Sequence, residues 1–288
     1  MTSSLSTLRT EAEALAKALP RLSAQTRASE AVHLGSAGRR RAGTGEDFWE
    51  YRRYNQEDDI ARIDWRRSAR GDALFVRETE LETARSFYMF ADPHEGFNWT
   101  GNKTRTTKAD RARIIMMALG NLLSREGERI GVLGSGRPAA FGKRALERAY
   151  TQISTPERNS LVAPKHSGTV IIASDFYDPV DMWQERLAPI AATCRDGILL
   201  AVSDPIEEDF PFQGRIRFSR PGSVFQRILG RAETLQEDYF SKFQENRAGM
   251  TALAAKLGWR FITHSTGEPA LNGAASLRQT LIELGLNT

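Results

Sequence analysis

Residues 169–175 read Thr-Val-Ile-Ile-Ala-Ser-Asp, a continuous apolar run that closes on a carboxylate. A strand with one solvated face would alternate polar and apolar side chains, so this run predicts a strand buried on both faces. Two other runs have the same form: residues 86–92 end in Asp92, and residues 197–204 end in Asp204. Together the three runs predict the interior strands of a sheet that helices cover on both sides.

Helical segments separate these strands along the chain. Apolar residues recur at helical spacing over 105–126, 143–153, 179–193, 233–257 and 274–285, and short apolar runs at 73–80, 129–133 and 259–264 predict further strands. This alternation predicts an α/β fold with a parallel sheet flanked by helices. A short helix is predicted over residues 4–19, ending at Pro20. Residues 205–225 are predicted to form a loop with a short strand.

The composition sets limits on the class of protein. The 288 residues are 40% apolar and 26% charged, and no apolar run approaches the roughly 20 residues of a membrane span. The single cysteine, Cys194, excludes an intramolecular disulfide and fits a reducing compartment. We therefore expect a cytoplasmic protein without a membrane span or a signal peptide. The net charge of +4 is small for a dedicated nucleic-acid binder.

Carboxylates that follow parallel strands gather at one edge of a sheet, where ligands bind. Asp92, Asp175 and Asp204 each follow a predicted strand within two residues. Oxygen ligands suit Mg²⁺, which makes Asp92 and Asp175 candidate metal ligands. Aspartate also caps turns and helices, so the pattern leaves a structural role open.

Residues 43–70 combine aromatic, acidic and arginine side chains with few aliphatic ones. Ordinary core strands are aliphatic, and ordinary solvated surfaces lack Trp and Tyr. Two interpretations remain open. The arginines and acids pair with each other around the aromatic rings, or part of this surface docks a partner protein.

This segment resembles the signature of a bacterial family known as domain of unknown function 58. The matching residues are Gly43, Gly45, Phe48, Arg52, Tyr54, Asp58, Asp59, Ile63-Asp64-Trp65 and Ser68-Ala69-Arg70. The resemblance implies a Rossmann-type, von Willebrand factor A-like fold and association with MoxR-type AAA+ ATPases. No catalytic activity is established for that family. The candidate partner-binding residues are Arg52, Tyr54, Asp58, Asp59, Asp64, Trp65 and Arg70.

The metal motif of von Willebrand A-like domains is incomplete in this chain. That motif is Asp-x-Ser-x-Ser, and here Asp92 is followed by His94 and Gly96 in place of both hydroxyl residues. Asp175 fits the later aspartate of the motif, but no threonine could be assigned. Histidine is a poor ligand for Mg²⁺. We favour a degenerate site that holds Mg²⁺ weakly or binds no metal.

The resemblance divides the chain into an N-terminal helix and linker (1–32), a signature extension (33–85) and a von Willebrand factor A-like domain (86–288). The function we predict is a non-catalytic adaptor or assembly factor for a MoxR-type ATPase. One alternative is a metal-dependent hydrolase or nuclease that uses Asp92, Asp175 and acids of the signature. The other is a nucleic-acid-binding module that uses the basic run at residues 39–41.

A glycine-rich stretch at residues 131–136 superficially resembles a phosphate loop. Such a loop leads straight into a helix N-terminus. Here residues 137–141 follow and predict a short strand, so a turn between two strands is expected. Cys194, at the end of a predicted helix, is expected to be an inert and partly buried thiol.

Overall fold

The computed structural model describes residues 4–22, 42–55, 63–69, 71, 73–80, 84–155, 160–219 and 226–285. Contacts divide the chain into two compact units: one holds the described residues of Met1–Thr26 and Arg85–Asn287, and the other lies within Arg27–Ala84. The three-part division predicted from the sequence stays a prediction.

The strands, in chain order, are β1 (Ala42–Arg53), β2 (Phe75–Glu80), β3 (Ser86–Ala91), β4 (Arg129–Val132), β5 (Thr169–Ser174), β6 (Asp196–Ser203), β7 (Ile216–Ser219), β8 (Gln226–Leu229) and β9 (Arg260–Ser265). The α-helices are α1 (Leu5–Ala18), α2 (Trp65–Ser68), α3 (Lys108–Arg125), α4 (Gly142–Ile153), α5 (Val180–Thr193), α6 (Pro205–Asp209), α7 (Gln236–Lys256) and α8 (Ala270–Glu283). A 3₁₀ turn, Ala232–Leu235, precedes α7.

The larger unit is built on a five-stranded sheet in the order β4-β3-β5-β6-β9, with every neighbouring pair parallel. Within this sheet the chain forms β3 first and then β4 on one side of it. It then crosses to the other side of β3 and adds β5, β6 and β9 in turn. The order therefore reverses between β3 and β5, which is the topological switch point of a doubly wound sheet. This confirms the predicted Rossmann-like α/β fold.

Alternate residues of the central strands enter two separate cores. Phe87 and Met89 of β3 join the core under α1, α3, α4 and α8, whereas Tyr88 and Phe90 join the core under α5 and α7. All six residues of β5 are buried, as the continuous apolar run predicted. Because helices cover both faces, a strand at the centre of this sheet has no solvated side.

The predicted helices agree with the structure to within a few residues. Helix α1 begins after Ser4, whose Oγ accepts a hydrogen bond from the Thr7 N–H, and it ends before Pro20. Its buried face contains Leu8, Ala12 and Ala16. Cys194 follows the last residue of α5 and is fully buried, where a partly buried thiol was expected.

The region 205–225 was predicted incompletely. It begins with α6, and β7 then pairs with β8 as an antiparallel hairpin. Residues 137–141 form a single bridge, from Ala140 to Ile130, instead of the expected short strand. The turn before them is confirmed, with Gly134 and Gly136 both at positive φ.

The smaller unit contains β1 and β2, which pair in antiparallel fashion with register shifts between Gly43 and Phe48 and between Phe48 and Glu50. Helix α2 is tied to β2 through Ser68, whose Oγ accepts from the Phe75 N–H at 2.9 Å and donates to the Asp64 carbonyl at 2.8 Å. The described part of the signature therefore forms a β-rich element with a helical turn.

Among the described residues, no helix combines the length and the hydropathy that crossing a membrane would require.

Candidate functional site

The three strand-end aspartates lie at the carboxyl edge of the sheet. Asp92 follows β3 and Asp175 follows β5, so these two flank the switch point, and Asp204 follows β6. Ser174, the last residue of β5, donates a hydrogen bond from its Oγ to Asp92 Oδ2 at 2.7 Å. The sequence prediction that Asp92 and Asp175 belong to one edge is confirmed by the sheet order.

His94 joins the two aspartates. Its Nε2 lies 3.2 Å from Asp175 Oδ1 and 3.9 Å from Asp92 Oδ2, and its backbone N–H donates to Asp92 Oδ1. The loop after β3 folds back on itself through this contact. The imidazole therefore lies beside both strand-end carboxylates.

A lysine ammonium lies between the carboxylates of this edge. Lys108 Nζ lies 3.0 Å from Asp175 Oδ2 and 2.6 Å from Glu207 Oε1, and the lysine is only 1% exposed. The rings of Trp99 and Tyr177 lie 5.8 and 5.0 Å from the same nitrogen, within range of a cation–π interaction. The charge of this buried cation is balanced by two carboxylates and two ring faces.

Helix α3 holds Lys108 in place. The helix begins at this residue, because Thr107 caps it by accepting the Asp110 N–H on its Oγ1 at 3.1 Å. A cation at the N-terminus of a helix is disfavoured by the helix dipole. Its position therefore depends on the carboxylates that surround the ammonium.

Glu207 connects this ion pair to the neighbouring elements. Its Oε2 accepts hydrogen bonds from the Tyr177 hydroxyl at 3.1 Å and from the Asp204 N–H at 2.9 Å. Its backbone carbonyl accepts the Tyr239 hydroxyl at 2.6 Å. One glutamate thus joins the loop after β5, the start of α6 and helix α7 to Lys108.

Asp204 is fully buried and serves as a structural clamp. Its side chain forms a capping box with Glu207 at the start of α6, which is the capping role that the sequence left open. Oδ2 accepts from Thr100 Oγ1, Gly101 N and Thr266 Oγ1, at 3.1, 3.2 and 3.1 Å. The other oxygen, Oδ1, lies 3.0 Å from an Arg105 nitrogen.

The charge states follow from these contacts. Burial by itself would lower the pKa of His94, but the hydrogen bond and charge of Asp175, together with Asp92, raise it above its ordinary value. Burial would raise the pKa of Asp175, yet His94 and Lys108 hold it below its ordinary value. Burial, then the charge of Glu207, raises the pKa of Tyr177, which keeps its hydroxyl a donor. The edge is a network of internal ion pairs.

These residues do not fit a resident Mg²⁺. The ammonium of Lys108 takes one oxygen of Asp175 and one of Glu207, and His94 lies against the other oxygen of Asp175. A divalent ion needs those oxygen atoms and would be repelled by the ammonium. Within the described ranges, no group of three His, Cys, Asp or Glu side chains is arranged to hold a metal.

The buried His264, near the end of β9, is expected to make the stability of the protein depend on pH. It is 3% exposed, with Nε2 at 3.2 Å from Arg111 Nη1 and Nδ1 at 4.0 Å from Glu268 Oε2. Burial, then the charge of Arg111, lowers its pKa from 6.5 to about 4. Between these values the unfolded chain binds the proton more readily, so stability falls as the pH falls through this window.

Near the lower end of this pH range, we expect protonation of His264 in the unfolded chain to have lowered the free energy of unfolding by about 3 kcal/mol. Urea denaturation of wild type and His264→Asn, from about pH 7 down to about pH 4, should show a shallower loss of stability in the variant. The control is His166→Asn, which changes an exposed histidine and should keep the wild-type slope. Equal slopes in wild type and His264→Asn would refute the assignment.

The structure places the predicted partner-binding residues unevenly. Asp58, Asp59 and Arg70 lie outside the described residues, as do the basic run at 39–41 and the side chain of Arg52. Tyr54 is half-buried, and its N–H donates to the Leu74 carbonyl at 2.9 Å. Their role in binding a partner stays a prediction.

Asp64 and Trp65 lie together at the start of α2. Asp64 caps the helix, its Oδ1 accepting the Arg67 N–H at 3.0 Å. Trp65 is 59% exposed. Asp64 therefore has a local structural role, whereas the tryptophan presents its ring to solvent.

Sequence reasoning missed the cations of this edge. Lys108 and Arg105 were not assigned, although a lysine at the start of an apolar helix is electrostatically unfavourable and indicates an anionic partner. The Asp204-Pro205-Ile206-Glu207 stretch carries a capping-box pattern that could have located Glu207. No sequence pattern indicated that Lys108 would meet Asp175.

Fold and site together define a Rossmann-like α/β protein whose ligand edge is neutralised by its own cations. The model of the family described as protein of unknown function DUF58 matches residues 50–249, which is more than half of the chain. The chain therefore belongs to the DUF58 family, and the membership predicted from the signature is confirmed. No curated protein and no solved structure matches the chain.

Proposed function

We propose that this protein is a non-catalytic adaptor or assembly factor that acts with a MoxR-type AAA+ ATPase through protein–protein contacts. The observation that carries the proposal is the ion pair of Lys108 with Asp175 and Glu207 at the ligand edge. A metal-dependent hydrolase needs carboxylates that can bind an ion or move a proton. At this edge those carboxylates already neutralise a protein cation. The ATPase as partner is an expectation from the family resemblance.

The proposal has two further parts. The Rossmann-like unit is taken to be of the von Willebrand factor A-like type, with a degenerate metal motif that Lys108 and His94 have filled. We also propose a cytoplasmic location, since the lone Cys194 is a buried thiol with a raised pKa, and burial is the main cause of that rise. Such a thiol is unreactive and fits a reducing compartment.

For docking the ATPase we propose Trp65 as an anchor. Tryptophan is among the residues that contribute most to binding when a partner buries it. At 59% exposure its ring contributes little to the core, so removing it should leave the fold intact. The other signature residues proposed for the same surface are Arg52, Tyr54, Asp58, Asp59, Asp64 and Arg70.

The test uses the purified full-length protein and a purified MoxR-type ATPase. We expect a complex in biolayer interferometry, with an affinity at least about tenfold lower for Trp65→Ala, because an interface anchor contributes about 2 kcal/mol or more. The control is Phe141→Ala, which removes another exposed ring (52%) and should bind as wild type does.

Two results would contradict the proposal. One is the absence of any complex between the purified proteins, with or without nucleotide. The other is hydrolysis of a phosphodiester substrate by the wild-type protein that is lost in Asp175→Asn, since this would assign the edge to catalysis.

A further inference from the structure

A second groove, lined by none of the strand-end aspartates, lies between the loop that follows β4 and the outer face of α4. It encloses about 950 Å³. The loop lines it with Ser135 and Arg137, and the helix lines it with Arg144, Arg148 and Gln152. The glycine-rich stretch that resembled a phosphate loop forms one wall of this groove.

The groove carries a strong excess of positive charge. Three arginines line it, and each is exposed and has no carboxylate partner among the described residues. The one acid in the lining, Glu147, lies 3.7 Å from Arg9. The Nε of Arg148 donates to the Arg144 carbonyl at 3.2 Å, so this guanidinium is oriented by its own helix. An anionic ligand in the groove would neutralise these arginines.

One wall of the groove is fixed before any ligand binds. Gly134 has a φ of +71°, and a Cβ there would lie 2.2 Å from Ser160 Oγ, so only glycine allows this approach. The Ser135 hydroxyl accepts the Arg137 N–H at 3.1 Å and donates to the Arg137 carbonyl. These two hydrogen bonds stabilise the turn that carries Arg137.

An apolar recess continues the groove inward. Its volume is about 160 Å³, and Arg137 and Arg148 line both cavities. Ser135 and Gln152 also line both cavities, and the rest of the recess is formed by Gly131 and by apolar side chains: Ile130, Val132, Pro138, Ala140, Ala145 and Ala149. A cavity of about 150 Å³ with apolar walls accepts a benzene-sized group. The recess is thus large enough for one apolar side chain.

We propose that this groove binds an acidic peptide segment of a partner protein, with one apolar side chain in the recess. Arg144 and Arg148 lie one turn apart on α4, with about 6 Å between their Cβ atoms, and Arg137 faces them from the loop. Carboxylates spaced along a peptide match such a distribution better than a single phosphate does. Single-stranded nucleic acid binds by stacking bases on aromatic rings, and the described lining contains none.

The test measures fluorescence anisotropy of a labelled Glu-Glu-Leu-Glu-Glu peptide with the full-length protein. We expect binding that weakens as salt is added, and at least about tenfold weaker binding by the Arg144→Glu/Arg148→Glu variant. A Gln-Gln-Leu-Gln-Gln peptide should not bind, and replacing the leucine by glycine should weaken binding. The control variant is Arg195→Glu/Arg260→Glu, which reverses two exposed charges elsewhere and should retain binding.

Equal affinity of wild type and Arg144→Glu/Arg148→Glu for the acidic peptide would overturn the proposal. So would displacement of the peptide by a thymidine oligonucleotide at lower concentration than by unlabelled peptide, since that would mark a nucleic-acid site. Because the assay contains no ATPase, its failure and the failure of the adaptor proposal are separate results.

Discussion

Replacing Lys108 by methionine is expected to lower the free energy of unfolding by about 3–5 kcal/mol. Methionine keeps most of the volume of the side chain but removes the ammonium. Asp175, whose side chain is 5% exposed, and Glu207, at 16%, would then lose the ammonium that they share, and His94 alone would remain beside Asp175. The cost arises because two buried carboxylates lose the cation that they share, and this cost exceeds the net contribution of the intact ion pair.

Urea denaturation at neutral pH measures this effect. Lys103→Met is the matched control, because it makes the same change at an exposed lysine of the preceding loop and should cost within about 0.5 kcal/mol. Adding Glu207→Gln to Lys108→Met should restore part of the lost stability, since one of the two unpaired charges is gone. A Lys108→Met variant as stable as Lys103→Met would refute the described ion pair.

Replacing Asp204 by alanine is expected to lower the free energy of unfolding by roughly 3–5 kcal/mol, as much as Lys108→Met does. The change removes the acceptor of the buried Thr266 hydroxyl and of the half-buried Gly101 N–H, whereas the Thr100 hydroxyl can still donate to the Asn102 carbonyl; a buried donor left unpaired costs about 1–3 kcal/mol. It also removes the cap of α6, which contributes about 1 kcal/mol. Because some of these donors find other partners in the variant, the loss of stability is expected to be smaller than the sum of the individual costs.

The comparison is with Asp209→Ala, an exposed aspartate at the end of the same short helix. That variant should remain within about 0.5 kcal/mol of wild type. Asp204→Asn should lie between the two, because an amide oxygen still accepts some of these hydrogen bonds while the charge facing Arg105 is lost. Similar stabilities for Asp204→Ala and Asp209→Ala would show that the clamp is absent.

Much of the fold was predictable because burial leaves a direct pattern in the sequence. The continuous apolar run of β5 required a strand covered on both faces, and the spacing of apolar residues in α3 required a helix. The hairpin of β7 and β8 was missed, since its short strands mix charged and apolar residues. Phe218 of β7 stacks on Phe210, which directly follows α6. The hairpin therefore packs through tertiary contacts that its own sequence does not indicate.

The candidate site was predicted only in its acidic half. A carboxylate at the end of a buried strand is visible in the sequence, and so Asp92 and Asp175 were found. The partner of Asp175 is Lys108, 67 residues earlier in the chain, and Glu207 lies 99 residues beyond that lysine. A hydrogen bond between residues so far apart leaves no local pattern.

The sequence by itself determined that this chain forms a parallel sheet with aspartates at its carboxyl edge, and that it carries the DUF58 signature. Only the tertiary structure decided what those aspartates do. Their charges are met by Lys108, Arg105 and His94. The physical reason is that hydrophobic periodicity is local and can be recognised within the sequence of each helix or strand. The partner of a buried charge is set by which elements the fold packs around it.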